Sequence, residues 1–265
     1  MKRVKDKKYI FGIVLMAAVL LFVLVGIFYT PYDPEKMDAS VKNMGPSLKH
    51  WFGTDNFGRD VLSRVMDGSK TTFFIAFCTI LIGSVVGSLI GAVTGYFGGF
   101  LDEIIMRIND VLLSFPYILL ALIIISIMGI GKYNIIIAMG ILFIPSFARV
   151  VRSEFVTQKQ LDYVKNAKLM GAGDMRIMFV HIFPNILPIL FSSITIGFNN
   201  AVLTEAGMSY LGLGVQPPEA SLGRMLSEAQ AYMVNAPWCA LAPGIMIILT
   251  VLSFSLVSER GGNRG

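Results

Sequence analysis

Six long apolar runs constrain this chain before anything else does. They cover residues 9–29, 71–97, 101–128, 135–151, 186–203 and 237–257. As a helix, a run of some twenty residues reaches about 30 Å, the thickness of a bilayer's hydrocarbon core. The chain is 55% hydrophobic and only 15% charged over its 265 residues, whereas soluble domains carry about 25% charged residues. Too few polar side chains remain to coat a water-facing surface. The expected fold is therefore all-α, a polytopic membrane protein with six transmembrane helices. A net charge of +5 would suggest nucleic acid in a soluble protein. In a membrane protein it reflects basic loops on one side of the bilayer, and no nucleic-acid partner is expected.

Charge also orients the chain. Lys2, Arg3, Lys5, Lys7 and Lys8 precede the first run, and no small-x-small cleavage site follows it. An uncleaved anchor with its amino terminus inside is the reading. Six spans then place on the inner side those five residues, Arg107, six basic residues from Arg149 to Arg176, and Arg260 and Arg264. Eight fall outside, six of them in one long segment between Thr30 and Lys70 that acidic residues balance. Both termini are expected in the cytoplasm. Residues 1–70 form an anchor helix and extracytoplasmic segment, 71–257 the transmembrane domain, and 258–265 a short tail.

Several smaller features carry expectations of their own. Gly83, Gly87, Gly91 and Gly95 recur every four residues, a smooth stripe on one helix face that admits a neighbouring backbone without naming it. Arg107 stands at helical pairing distance from Glu103 and Asp110, so a local ion pair is expected there, with a proton path through Asp110 as the alternative. Pro145 is expected to kink the fourth span. Asn199, Asn200, Thr204 and Glu205 cluster at the end of the fifth. A carboxylate in hydrocarbon costs roughly 2.5 to 3.5 kcal/mol, so Glu205 should face a wet cavity or a polar partner. Asn199, Asn200 and Glu205 are thus candidates for a translocation pathway, and an interhelical hydrogen bond is the competing role. Cys78 and Cys239 read as packing residues, and His50 and His181 are too far apart in the chain to suggest a metal site.

The longest polar-rich interruption is Leu161 to Pro188, LDYVKNAKLMGAGDMRIMFVHIFPNILP. At helical period Tyr163, Ala167 and Met170 share one side, while Lys165 and Lys168 turn away. Gly171-Ala172-Gly173 ends that helix, Asp174 is placed to cap a second, and Pro184 and Pro188 mark re-entry into the membrane. Such a helix would lie across the mouth of a bundle, offered to a partner or resting on lipid headgroups. A second polar string, GTDNFGRDVLSR from Gly53 to Arg64, reads as a turn into a capped surface helix, or else a binding site. A third, GMSYLGLGVQPPEASLGRML from Gly207 to Leu226, reads as a glycine- and proline-shaped loop followed by a short helix.

These strings resemble one family. Ala167, Gly171, Ile182 and Pro184 match the coupling loop of ATP-binding-cassette importer permeases, although Lys165 and Asn166 stand where the family usually has Glu and Ala. The Gly53–Arg64 and Gly207–Leu226 strings are similar to signatures of its dipeptide, oligopeptide and nickel branch, with Tyr210 and Leu222 as departures, and the chain's end lacks that branch's usual ending. The resemblance implies one of two permease subunits, with two separate ATPases and a solute-binding protein, importing small peptides or nickel (free or chelated) by alternating access; a membrane channel or scaffold without ATPase coupling is the alternative. Tyr163, Lys165, Ala167, Lys168, Gly171 and Ala172 would be the ATPase-coupling residues. The chain carries no GxxxxGK[ST] phosphate loop and no nucleophile–base pair. No catalytic or metal-ligating residue is assigned, and ATP and Mg would serve the partner ATPases only.

Overall fold

The computed structural model describes residues 2–261, with side chains from 7 to 258. The charges counted at Lys2, Arg3, Lys5, Arg260 and Arg264 lie outside the described side chains. Helices are α1 (Lys2–Phe28), α2 (Val61–Phe97), α3 (Gly99–Ser114), α4 (Tyr117–Met128) and α5 (Lys132–Gln158). They continue with α6 (Asp162–Leu169), the single turn α7 (Asp174–Arg176), α8 (Phe183–Tyr210), α9 (Leu222–Ala229) and α10 (Trp238–Gly261). Among the described residues, five helical segments are long and apolar enough to cross a membrane, and the bent pair α3–α4 makes a sixth if counted as one.

The bundle is built on α2 and α5. The glycine stripe of α2 lies against α5: a Cβ at Gly83 would meet Phe143, at Gly87 Phe147, at Gly91 Val151 and at Gly95 Phe155. Each lost side chain lets the two backbones close together, and large α5 residues fill the grooves. One core unites α2, α4, α5, α6 and α8 around Ile75, Met139, Phe147, Phe155 and Ile186. A second joins α1, the start of α2, α9 and α10 around Val19, Val65, Leu222 and Met246.

Three expected spans differ from what folds. The run 101–128 is not one straight helix but two, bent by 97°. Pro116 has no N–H to donate and forces Phe115 into an extended conformation at φ −94°, ψ 144°. The fourth span continues past Val151 to Gln158. Its arginines do not end it, because Arg149 pairs with Asp110 at 2.6 Å and Arg152 clasps Asp102 at 2.6 and 3.1 Å. Those bridges join α3 to α5, which displaces the expected pair within α3. Arg107 makes no ion pair among the described residues. The fifth span starts at Asp174 and runs 37 residues to Tyr210. Pro184 and Pro188 lie inside it, and a wider π turn over Ile177–Ile182 leads into the first of them, with Phe183 N–H donating to the Met178 carbonyl. Gly173, not Asp174, is the residue before its first turn. The helix α5 passes through Pro145 without interruption.

At 37 residues, α2 is about 55 Å long, well beyond a hydrocarbon core. It is continuous across Lys70 and Thr71, where the sequence only changes polarity. One rod therefore joins the two ends of the bundle: α9 packs near its start, and Lys159 and Asp174, on either side of α6, bond to its finish.

Candidate functional site

At the α6 end, the chain builds a stiff handle. Val164 is buried, Tyr163, Ala167 and Ala172 are half-buried against the core, and Lys165 and Lys168 point outward. Met170, expected to share the inner face, is instead 88% exposed beside Leu169 at 85%. The reason is the cap. Ala172 N–H donates to the Ala167 carbonyl and Gly171 N–H to the Lys168 carbonyl, both at 3.0 Å. With Gly171 at φ +83° this is a Schellman stop, which swings Met170 off the helix face and tucks Ala172 in. Lys165 reaches Asp162 at 3.4 Å on the open surface, where such a pair contributes little.

The handle is tied to the rod behind it. Lys159 Nζ donates to the last carbonyls of α2, Gly95 at 3.2 Å and Tyr96 at 3.1 Å. Tyr163 Oη donates to Gln158 at 2.9 Å, and Tyr96 Oη donates to the Asp174 carboxylate at 2.6 Å. Asp174 thus fastens the loop to α2 in place of capping a helix. Any force on α6 reaches α2, α5 and α8 through these bonds and the packed core beneath.

The opposite end is clamped by charge. Asp55 accepts from the N–H groups of Phe57 and Arg59 and from Arg59 Nε at 2.6 Å. Arg59 and Arg64 converge on Glu228 of α9 at 2.8 and 3.1 Å. Asp60 caps α2 through Ser63 N–H at 2.8 Å. The string read as a capped surface helix is capped but not on the surface: Val61 to Met66 are buried. Arginines buried by α9 could not be anticipated, since their acidic partner lies 164 or more residues away.

The three pathway candidates do not share a face. At about 100° per residue, Asn199 and Glu205 fall on either flank of Asn200 around α8. Glu205 is fully enclosed. Its carboxylate accepts from Thr72 Oγ1 at 2.8 Å and Ser209 Oγ at 2.6 Å. Those hydroxyls in turn accept Leu222 N–H and Val215 N–H at 3.2 Å each, so the relay fixes both ends of the loop before α9. Asn199 is buried, its amide donating to the Val251 carbonyl at 3.3 Å while its Oδ1 has no partner. Asn200 alone is exposed, with the half-buried Ser193 and Thr204 on the same side of the helix. Sequence reading passed over Ser193, although its seven-residue spacing from Asn200 is helical. Glu205→Ala should strand two buried hydroxyls and lower stability by about 1–3 kcal/mol. Thermal unfolding of the purified protein measures this, and Glu205→Gln should lose less.

Residues 83–260 match the family described as "Binding-protein-dependent transport system inner membrane component". The chain belongs to that family. It is 43% identical over 245 residues to "Glutathione transport system permease protein GsiD" of Escherichia coli O6:K15:H31, an alignment covering 91% of this chain and 81% of the relative. A protein of the same name from Pectobacterium atrosepticum is 41% identical over 247 residues, with the same coverage. In fold, the permease is similar to a chain of "Inward facing conformations of the MetNI methionine ABC transporter". That match has TM-score 0.61 at 22% identity and covers 74% of this chain and 94% of the other. The permease is thus a subunit of an ABC importer, not an enzyme.

Proposed function

We propose that this permease forms half of a translocation pathway for small peptides, with its termini and α6 in the cytoplasm and α9 outside. The excess of basic residues on the α6 side supports that orientation, and the glutathione permeases among its relatives, glutathione being a tripeptide, support the cargo. A second, related permease chain completes the pathway, two ATPases grip the handle from below, and a binding protein delivers peptide at the α9 end. ATP and Mg act in the ATPases, and this chain holds neither.

The exposed, Schellman-stopped handle carries the reading. A motor shifts a conformational equilibrium only through contacts that differ between two states, so it must hold a surface that does not yield. Leu169 and Met170 supply apolar purchase, Lys165 and Lys168 charge, and Tyr163, Ala167, Gly171 and Ala172 the rigid seat. Closure of the ATPases displaces α6, and the bonds to α2 and α5 convert that into a tilt of the spans. On the pathway side, Asn200, Ser193 and Thr204 offer polar groups where lipid would be costly. Asn199 and Glu205, enclosed in this conformation, frame that surface.

Gly171→Val tests the coupling. A branched side chain at φ +83° costs about 1–2 kcal/mol locally and has open space around it, so the chain should still insert. Uptake of radiolabelled dipeptide by cells should fall while ATP turnover persists in the reconstituted importer. Unchanged uptake would sink the coupling role. Running the assay with nickel, free and chelated, in parallel decides the cargo: nickel uptake without dipeptide uptake would overturn the peptide reading.

A further inference from the structure

Beside the outer end of α1, residues 46–53 make a tight turn that projects its largest apolar side chains. Leu48 is 97% exposed and Trp51 70%. The turn is nonetheless braced from behind. Ser47 N–H and Gly53 N–H both donate to the His50 carbonyl, at 2.8 and 2.9 Å, and His50 N–H donates to Ser47 Oγ at 3.1 Å. Tyr32 Oη donates to the Lys49 carbonyl at 2.8 Å, and His50 Nδ1 meets Asp60 at 2.9 Å. A segment pinned at that many points holds Leu48 and Trp51 outward by construction.

Between this turn and the helices lies a cleft of about 620 Å3. Phe22 and Val25 of α1, Tyr29 just past its end, Leu62 and Met66 of α2, and Trp51 form most of its wall. Phe22 and Val25 lie near the end of the stretch of α1 that is long and apolar enough to cross a membrane. The rim of the cleft carries Lys49 and the aromatic rings of Tyr29, Tyr32 and Trp51, while the Asp60 carboxylate in its lining is taken up by His50 and Ser63. Apolar walls below, amphipathic rings at the boundary and one ammonium above match a single molecule from bottom to top.

We propose that this cleft binds a glycerophospholipid of the adjacent leaflet, one acyl chain along Phe22 and Val25 and its phosphate facing Lys49. The turn Leu48–Trp51 is then a wedge in the headgroup region. It fixes the depth of α1 and, through His50 and Asp60, the start of α2. The wedge works whichever way the chain is oriented, so it stands apart from the coupling and cargo readings.

The test uses the full chain in the complex in which it purifies, reconstituted in vesicles of phosphatidylethanolamine and brominated phosphatidylglycerol. The fluorescence difference between wild type and Trp51→Phe isolates Trp51. Bromines near the headgroup should quench that difference signal roughly by half, more than bromines near the chain terminus, and aqueous iodide should have little effect. Lys49→Glu should reduce co-purifying phosphatidylglycerol by about five-fold, because each basic residue near an anionic surface contributes roughly 1 kcal/mol. Strong iodide quenching, or bromine quenching seen in the isolated chain but lost in the complex, would overturn the proposal. The first outcome puts the turn in water, the second puts a partner subunit in the cleft.

Discussion

Gly91→Val should destabilise this permease by about 3 kcal/mol, a large loss for adding one small side chain. A Cβ at residue 91 would meet the Ala148 carbonyl oxygen, lie 2.8 Å from the Arg152 nitrogen and 2.9 Å from Val151 Cβ. Two of these are backbone atoms of a helix and have no rotamer with which to retreat. The α2–α5 pair must separate, and the bridges from Arg149 and Arg152 to α3 move with it. Gly207→Ala is the matched control. Nothing lies within 4 Å of a Cβ there, and alanine is the better helix former. Thermal unfolding in detergent should show a marked fall for Gly91→Val and none for Gly207→Ala. Equal behaviour of the two would mean that the stripe is not where the helices meet.

Glu228→Ala should cost about 3–5 kcal/mol, because it breaks a buried ion pair from one side only. Arg59 and Arg64 have side chains 3% and 2% exposed. With Glu228 gone, Asp55 is the one carboxylate left near both guanidinium groups, at 2.6 Å from Arg59 and 3.7 Å from Arg64. Two buried positive charges then share a single carboxylate, with the Pro34 carbonyl 3.4 Å from Arg64 Nη1, and Arg224 loses its partner on the same helix. The strain should appear as release of α9, so limited proteolysis should cut residues 216–230 many times faster than in wild type. Glu228→Gln keeps the shape and one acceptor oxygen and should fall between. If α9 stayed protected in Glu228→Ala, packing of Leu222 and Met225 would be holding it, and the charge clamp would be secondary.

The legible parts of this protein were those that depend on neighbours in sequence. The apolar runs marked the spans, the four-residue glycine period marked a contact face, and Asp60 ahead of Val61 marked a helix start. Gly171 marked a helix stop because a Schellman turn needs a residue at positive φ. Even the break at Pro116 was written plainly, although hydropathy alone ran the third span straight through it. The expected fourth span stops at Val151, short of Arg152, whereas α5 runs on to Gln158, since Asp102 from another helix makes Arg152 inexpensive there.

What needed the tertiary structure was every pairing across a distance. No local pattern says that the α2 stripe meets α5, that Glu228 neutralises Arg59 and Arg64, or that Glu205 serves Thr72 while Asn200 stays open. By itself the sequence determined a membrane-spanning helical chain with one polar handle, because burial of backbone in lipid and the rules of helix ends act within a few residues. Only the folded chain decided which polar groups are spent on holding it together and which remain free, because that depends on where helices far apart in the chain come to lie.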